Sequence, residues 1–232
     1  MCGRFTLRLS PSELAEIFRL LREPEIGPRY NIAPAQPVAV VRPEGKFRDL
    51  SLMRWGLIPS WSKDEKIGAR LINARAETVA EKPSFRDAFK KRRCLIPADG
   101  FYEWKQLDGK VKQPFFIGLR KDDPFAFAGL WEHWTGPNGT AVESCTIITT
   151  DANERLAELH NRMPVILHED DYDRWLDPQN KQLEELQSLL VPYPAAEMRT
   201  YPVSQLVNSP KNDVPDCAEP VDDESAKGRL LD

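Results

Sequence analysis

Residues 93–120 read RCLIPADGFYEWKQLDGKVKQPFFIGLR, and this stretch decides the fold class. Its flanks, RCLIPADGFYEWKQ and KQPFFIGLR, carry aromatic and branched side chains that suit a pleated, half-buried surface. Between them stands LDGK, whose Asp108-Gly109 suits a tight hairpin turn. Downstream, PFAFAGLWEHW and AVESCTIITT flank TGPNG, a second turn signal. Upstream, PVAVVRP, EGK and FRDLSLMRWGL read as strand, turn and strand, and RFTLRL is strand-like. Helical signals are fewer. In SPSELAEIFRLL, Ser10 is an N-cap, Pro11 fits the first helical position, and Glu13 completes a capping box. Leu14, Ile17, Phe18 and Leu21 then share one face. PSFRDAFKKR, EDDYDRWL and NKQLEELQSLL read as further helices, MPVIL as a short strand, and YPVSQLVNSPKND as extended and loop-rich. Asp151, with Glu154 three residues on, predicts a capped helix over DANERLAELH that leaves His160 at or just past its C-terminus. Strands and helices do not alternate regularly. The pattern predicts an α+β fold with a mostly antiparallel, barrel-like β core surrounded by helices.

The 232 residues are 41% apolar and 29% charged, within the ordinary globular range. No apolar run is long enough to span a bilayer, and MCGRFTLRLS has no hydrophobic core of a secretory signal. Cys2, Cys94, Cys145 and Cys217 form no CxxC pair, and the three histidines show no metal-ligand spacing. These counts predict no disulfide framework, no metal and no cofactor, and a reducing cytoplasm as the setting. The net charge of −4 has a local origin: residues 216–232 hold six acids and two bases, leaving the rest neutral. A body over residues 1–215 and a flexible acidic tail over 216–232 are expected.

Cys2 is the unusual residue. An initiator methionine is generally removed before a small residue, which would leave a chain end bearing an α-amine and a thiol on adjacent carbons. Their ordinary pKa values, roughly 7.7–8.0 and about 8.5, give both a reactive fraction near neutrality. The amine forms a Schiff base with an aldehyde, and the thiol closes a five-membered thiazolidine on that imine. Position alone is equally consistent with an incidental thiol. In LINARAET, Asn73 can orient an amine or carbonyl and Arg75 can clamp a phosphate. Glu103 lies among Phe101, Tyr102 and Trp104, where a desolvated carboxyl would move toward acid–base range; an ordinary solvent-facing strand residue is the plainer reading. His160 alone reads as readily as a structural histidine. Trp55 and Trp61 in RWGLIPSW suit either base stacking or a core.

Together MCGRF, RYNIAPAQ, RWGLIPSW, LINARAET, FRDAFKKRRCLIPADGFYEWK, QPFFI, HNRMPVIL and PVSQLVNSPKND, in this order, resemble the SRAP family (SOS response-associated peptidase domain). The resemblance implies the SRAP fold and a sensor of abasic sites in single-stranded DNA, acting as a monomer in the cytoplasm and on the nucleoid. By that resemblance Cys2 is the covalent residue, Asn73 positions its amine, Glu103 assists proton transfers, and His160 aids sugar-ring opening and release. Arg4 and Arg75 would hold flanking phosphates, while Trp61 and Pro34 would shape the kinked strand. Ser62 stands where some members carry a second Trp. The peptidase label would describe removal of residues ahead of the cysteine, and lyase activity is also implied. Two other readings compete: a thiol peptidase acting on proteins, and a non-covalent reader of modified bases in DNA.

Overall fold

A computed structural model describes residues 2–107 and 112–221. In chain order the strands are β1 (Phe5–Leu7), β2 (Arg29–Ile32), β3 (Pro37–Glu44), β4 (Phe47–Trp55), β5 (Asn73–Arg75), β6 (Arg93–Ala98) and β7 (Gly100–Gln106). They continue with β8 (Lys112–Leu119), β9 (Phe125–Thr135), β10 (Ala141–Asp151), β11 (Arg162–Pro164), β12 (Ile166–Leu167) and β13 (Met198–Pro202). The α-helices are short: α1 (Pro11–Ile17), α2 (Arg86–Lys91), α3 (Tyr172–Leu176) and α4 (Leu183–Ser188).

The expected barrel is present. Strands β10, β4, β3, β6 and β9 are hydrogen-bonded in that order, and β9 pairs back to β10, which closes the ring. Every pairing in the ring is antiparallel except β10 with β4. A second sheet, in the order β13-β8-β7-β1-β2, packs beside it. The chain passes between the two at Asp99, the one residue separating β6 from β7. Phe5, Phe101 and Phe125 all meet Phe127 edge-on, so the sheets share one aromatic core.

The opening stretch behaves as read, with Gln106 opposite Lys112 across the β7–β8 hairpin; its Asp108-Gly109 turn lies outside the described residues. The TGPNG turn joins β9 to β10, with Thr135 opposite Ala141.

Three expectations are corrected. The first helix has its Ser10 cap, Pro11 start and Glu13 capping box, but it stops at Ile17 and leaves Leu21 54% exposed. Arg19 there adopts a positive φ of 50°, which ends the helical path. The helix over 151–160 is only a 3-10 turn at Leu156–Glu158. Asp151 belongs to β10, paired with Arg162, and Asn153 caps the turn instead by accepting from the Leu156 N–H at 3.0 Å. MPVIL divides into β11 and β12, which pair with different strands. Packed residues continue past 215. Cys217 is fully buried, and Val203 bridges to Pro220. Residues 222–232 of the proposed tail lie outside the described residues.

Candidate active site

The first strand sets the chain's start against β7. Phe5 lies opposite Phe101 and Thr6 opposite Gly100, and the Tyr102 N–H donates to the Arg4 carbonyl at 3.0 Å. Asp99 locks this register by accepting from Thr6 Oγ1 at 2.5 Å and from Arg8 Nε at 2.7 Å. Running on from that pairing in opposite directions, the two strands carry Cys2 and Glu103 into the same buried region. Burial raises the Cys2 thiol pKa strongly, and the neighbouring Glu103 carboxylate raises it further. Burial also pushes the Glu103 carboxyl up to about 7, while the positive charge of the amino end pulls it down.

Asn73 and His160 reach the site from segments that flank β10. The C-terminal half of β10 is flanked by β5, with Ile147 opposite Asn73, and by β11, with Asp151 opposite Arg162. Asn73 and His160, which lies two residues before β11, therefore come to the same end of one strand. Trp55 ties that end to the start of the chain: its ring packs on Phe5 at 5.2 Å, and its Nε1 donates to Ile72 O at 2.9 Å. Trp55 is thus core, not a stacking platform. Asn73 Nδ2 donates to the Ile72 carbonyl at 3.1 Å. Its Oδ1 is buried without a hydrogen-bond partner among the described residues. An unpaired buried acceptor is costly, and it is the kind of group a ligand or a new amine can satisfy.

His160 Nδ1 accepts the Arg162 N–H at 3.0 Å, which places the proton of the neutral ring on Nε2. Burial first, and then the positive charge of the amino end, lower its pKa. That same charge acts on Cys2 and Glu103. Three of the four residues read as catalytic thus share one electrostatic neighbourhood at the start of the chain.

The residues read as DNA-binding divide. Arg75 is exposed at the end of β5, two residues beyond Asn73. Trp61 is 56% exposed on the connection between β4 and β5, with Nε1 donating to Pro83 O at 3.3 Å. That connection is held by backbone contact: a Cβ on Gly56, whose φ is 129°, would lie 2.7 Å from Gly68 O. Pro34 sits half-buried in the turn after β2, and that turn bonds to the base of the Trp61 connection through the Ala35 N–H and Trp55 O at 2.8 Å. Arg4 is different. Its Nη1 donates to Asn31 Oδ1 at 2.9 Å and Val207 O at 2.5 Å, and its Nη2 to Asn208 O at 3.2 Å. Its guanidinium braces the turn at Gln205–Asn208 against β2.

Sequence reasoning singled out neither Asn31 nor Arg162. Asn31 is fully buried and donates to the carbonyls of Val207, Ser209 and Asn212. Asp213 accepts from the Tyr30 and Asn31 N–H groups and pairs with Arg29. RYNIAPAQ and PVSQLVNSPKND are therefore two halves of one clamp.

The SOS response associated peptidase (SRAP) family model matches residues 1–210. The abasic site processing protein YoqW of Bacillus subtilis is 51% identical over 222 residues, covering 94% of this chain and 99% of that protein. The abasic site processing protein HMCES of Gallus gallus is 36% identical over 266 residues, covering 96% of this chain and 78% of that protein. A crystal structure of a Bacteroides thetaiotaomicron protein superposes with a TM-score of 0.86 at 26% identity, over 95% of this chain and 100% of that one.

Proposed function

Because this chain belongs to the SRAP family, we propose that it captures abasic sites in single-stranded DNA covalently through Cys2 once Met1 has been removed. The observation that carries the reading is the burial of Cys2 beside Glu103, whose carboxyl is raised to about 7. The relatives named for abasic-site processing support the substrate.

The chemistry follows from the groups present. The ring-opened abasic sugar offers an aldehyde. The Cys2 amine adds to its carbon and water leaves, giving an imine. Cys2 Sγ then adds to that carbon and its proton passes to the nitrogen, closing a thiazolidine. One water is lost overall. A buried thiol of high pKa is a poor free thiolate, so an order with the amine first suits this site better than direct thiol attack on a peptide bond. Glu103, poised near neutrality, receives and returns the protons. Asn73 Oδ1 accepts from the amine and aims it. His160, neutral with its proton on Nε2, assists opening of the sugar at the ring oxygen. Arg75 holds phosphate and the exposed Trp61 stacks on a flanking base. Such contacts read no sequence and weaken with salt, so capture is sequence-tolerant and slower at high ionic strength. The missing base lowers the cost of admitting the nucleotide to the pocket. A protein acting this way works as a monomer in the cytoplasm, at the nucleoid.

The test is incubation of Met1-free protein with uracil-excised single-stranded DNA under denaturing readout. The wild type is expected to give a denaturant-stable adduct and Cys2→Ala none. Equal yields from the two would overturn the reading.

A further inference from the structure

Arg162, the first residue of β11, reaches across the end of β10. Its Nη2 donates to Thr149 O at 2.7 Å and its Nη1 to Asp151 Oδ1 at 2.8 Å. Beyond β10 the same guanidinium grips Glu77 with both arms, Nη1 to Oε1 at 2.6 Å and Nη2 to Oε2 at 3.0 Å. Glu77 stands in the 3-10 turn Ala76–Thr78 that directly follows β5, four residues after Asn73. The backbone N–H of this same Arg162 is the donor to His160 Nδ1. One side chain thus joins the strand that carries Asn73 to the backbone that orients His160. An ion pair this near the surface adds little stability by itself, since Glu77 is 47% exposed. A planar fork with four side-chain contacts nevertheless fixes its own backbone closely.

We propose that Arg162 and Glu77 form a strap that positions His160 for its proton transfer, an inference that rests on the proposed crosslinking reaction. The strap acts through the Arg162 N–H. While that bond is in place, Nδ1 is occupied as an acceptor and the ring presents Nε2–H. The charges that bear on the ring are the amino end, Arg162 and Lys112, all positive, and each disfavours its protonation. Loosening the strap releases Nδ1 to take up a proton and lets the ring turn. Arg162 and Glu77 are positioning residues in this scheme, and they touch no reacting atom.

Two variants test it. Glu77→Gln keeps the size of the side chain and removes the charge; Arg162→Lys keeps the charge and the backbone donor and removes the fork. Adduct formation with uracil-excised DNA is expected to slow about tenfold in each, the scale of loss that a small misplacement brings. Glu77→Gln added to His160→Ala should cause no further slowing. In nuclear magnetic resonance spectra of the DNA-free protein, the His160 ring should titrate at higher pH in Arg162→Lys, which keeps both charges of the pair, than in the wild type. This readout also shows that the variants are folded. Wild-type rates with an unshifted His160 titration would overturn the strap, as would a loss that adds to that of His160→Ala. The two proposals fail separately. Absence of a Cys2-dependent adduct in the wild type defeats the reaction, whereas the titration reports on the strap without any reaction.

Discussion

Burial moves the Glu103 carboxyl from its ordinary 4.5 to about 7, and this has a consequence for stability as well as for proton transfer. Between those two values the folded chain holds a proton that the unfolded chain has already released. Stability conferred at this position is therefore present at low pH and lost as pH rises through the window, with no further change above it. Glu103→Gln removes the titration. The variant is expected to match the wild type near pH 4 and to exceed it near pH 8 by up to about 3 kcal/mol, measured by chemical denaturation at both values. A difference that does not change with pH would contradict the shift. The rate of adduct formation should fall in the same variant, because the amide cannot take a proton. At this scale local sequence offered Cys2, Asn73, Glu103 and His160 only as candidates, and it was the family resemblance that gave them roles. Their environments were not legible. Glu103 is buried because β1 pairs with β7, a contact spanning about a hundred positions, and nothing in GFYEW reports it. Arg4 likewise finds its acceptors at Val207 and Asn208, and a guanidinium near the chain start gives no hint of them.

The elements hold the site by clamps that join distant segments. Asn31 on β2 joins several of them at once, with one acceptor occupied by Arg4 and three carbonyls served by Nδ2. Asn31→Ala would leave these groups unpaired in a dry interior and is expected to cost about 2–4 kcal/mol in a denaturant titration. A loss below about 0.5 kcal/mol, the range of ordinary surface changes, would show that the clamp is dispensable. Hairpins were the most legible elements, since β3–β4, β7–β8 and β9–β10 each combine two runs of strand-forming residues with a turn signal between them. Helix ends were the least legible. The segment 151–160 carries a capping pattern, yet pairing of Asp151 with Arg162 keeps that residue in β10 and hands the cap to Asn153. Tertiary pairing overrode a local signal there.

For the whole molecule, the antiparallel character was readable from the turns, but closure was not. The ring shuts through the parallel contact of β10 with β4, where Ser144 and Cys145 meet Arg54 and Trp55. Parallel pairs between remote strands leave no period or turn in the sequence to mark them. Closure matters to the account because it brings β5 and β11 to the two flanks of β10 and so brings Asn73 and His160 to one end of the barrel. Cys2 is buried beside Glu103 in that region. The central claim is that this end of the chain is an aldehyde trap. Intact mass spectrometry of the protein after incubation with an abasic oligonucleotide tests it most directly. The account predicts a species equal to the Met1-free chain plus the oligonucleotide less one water, resistant to borohydride and absent in Cys2→Ala. An unchanged protein mass, or the same adduct in Cys2→Ala, would contradict it.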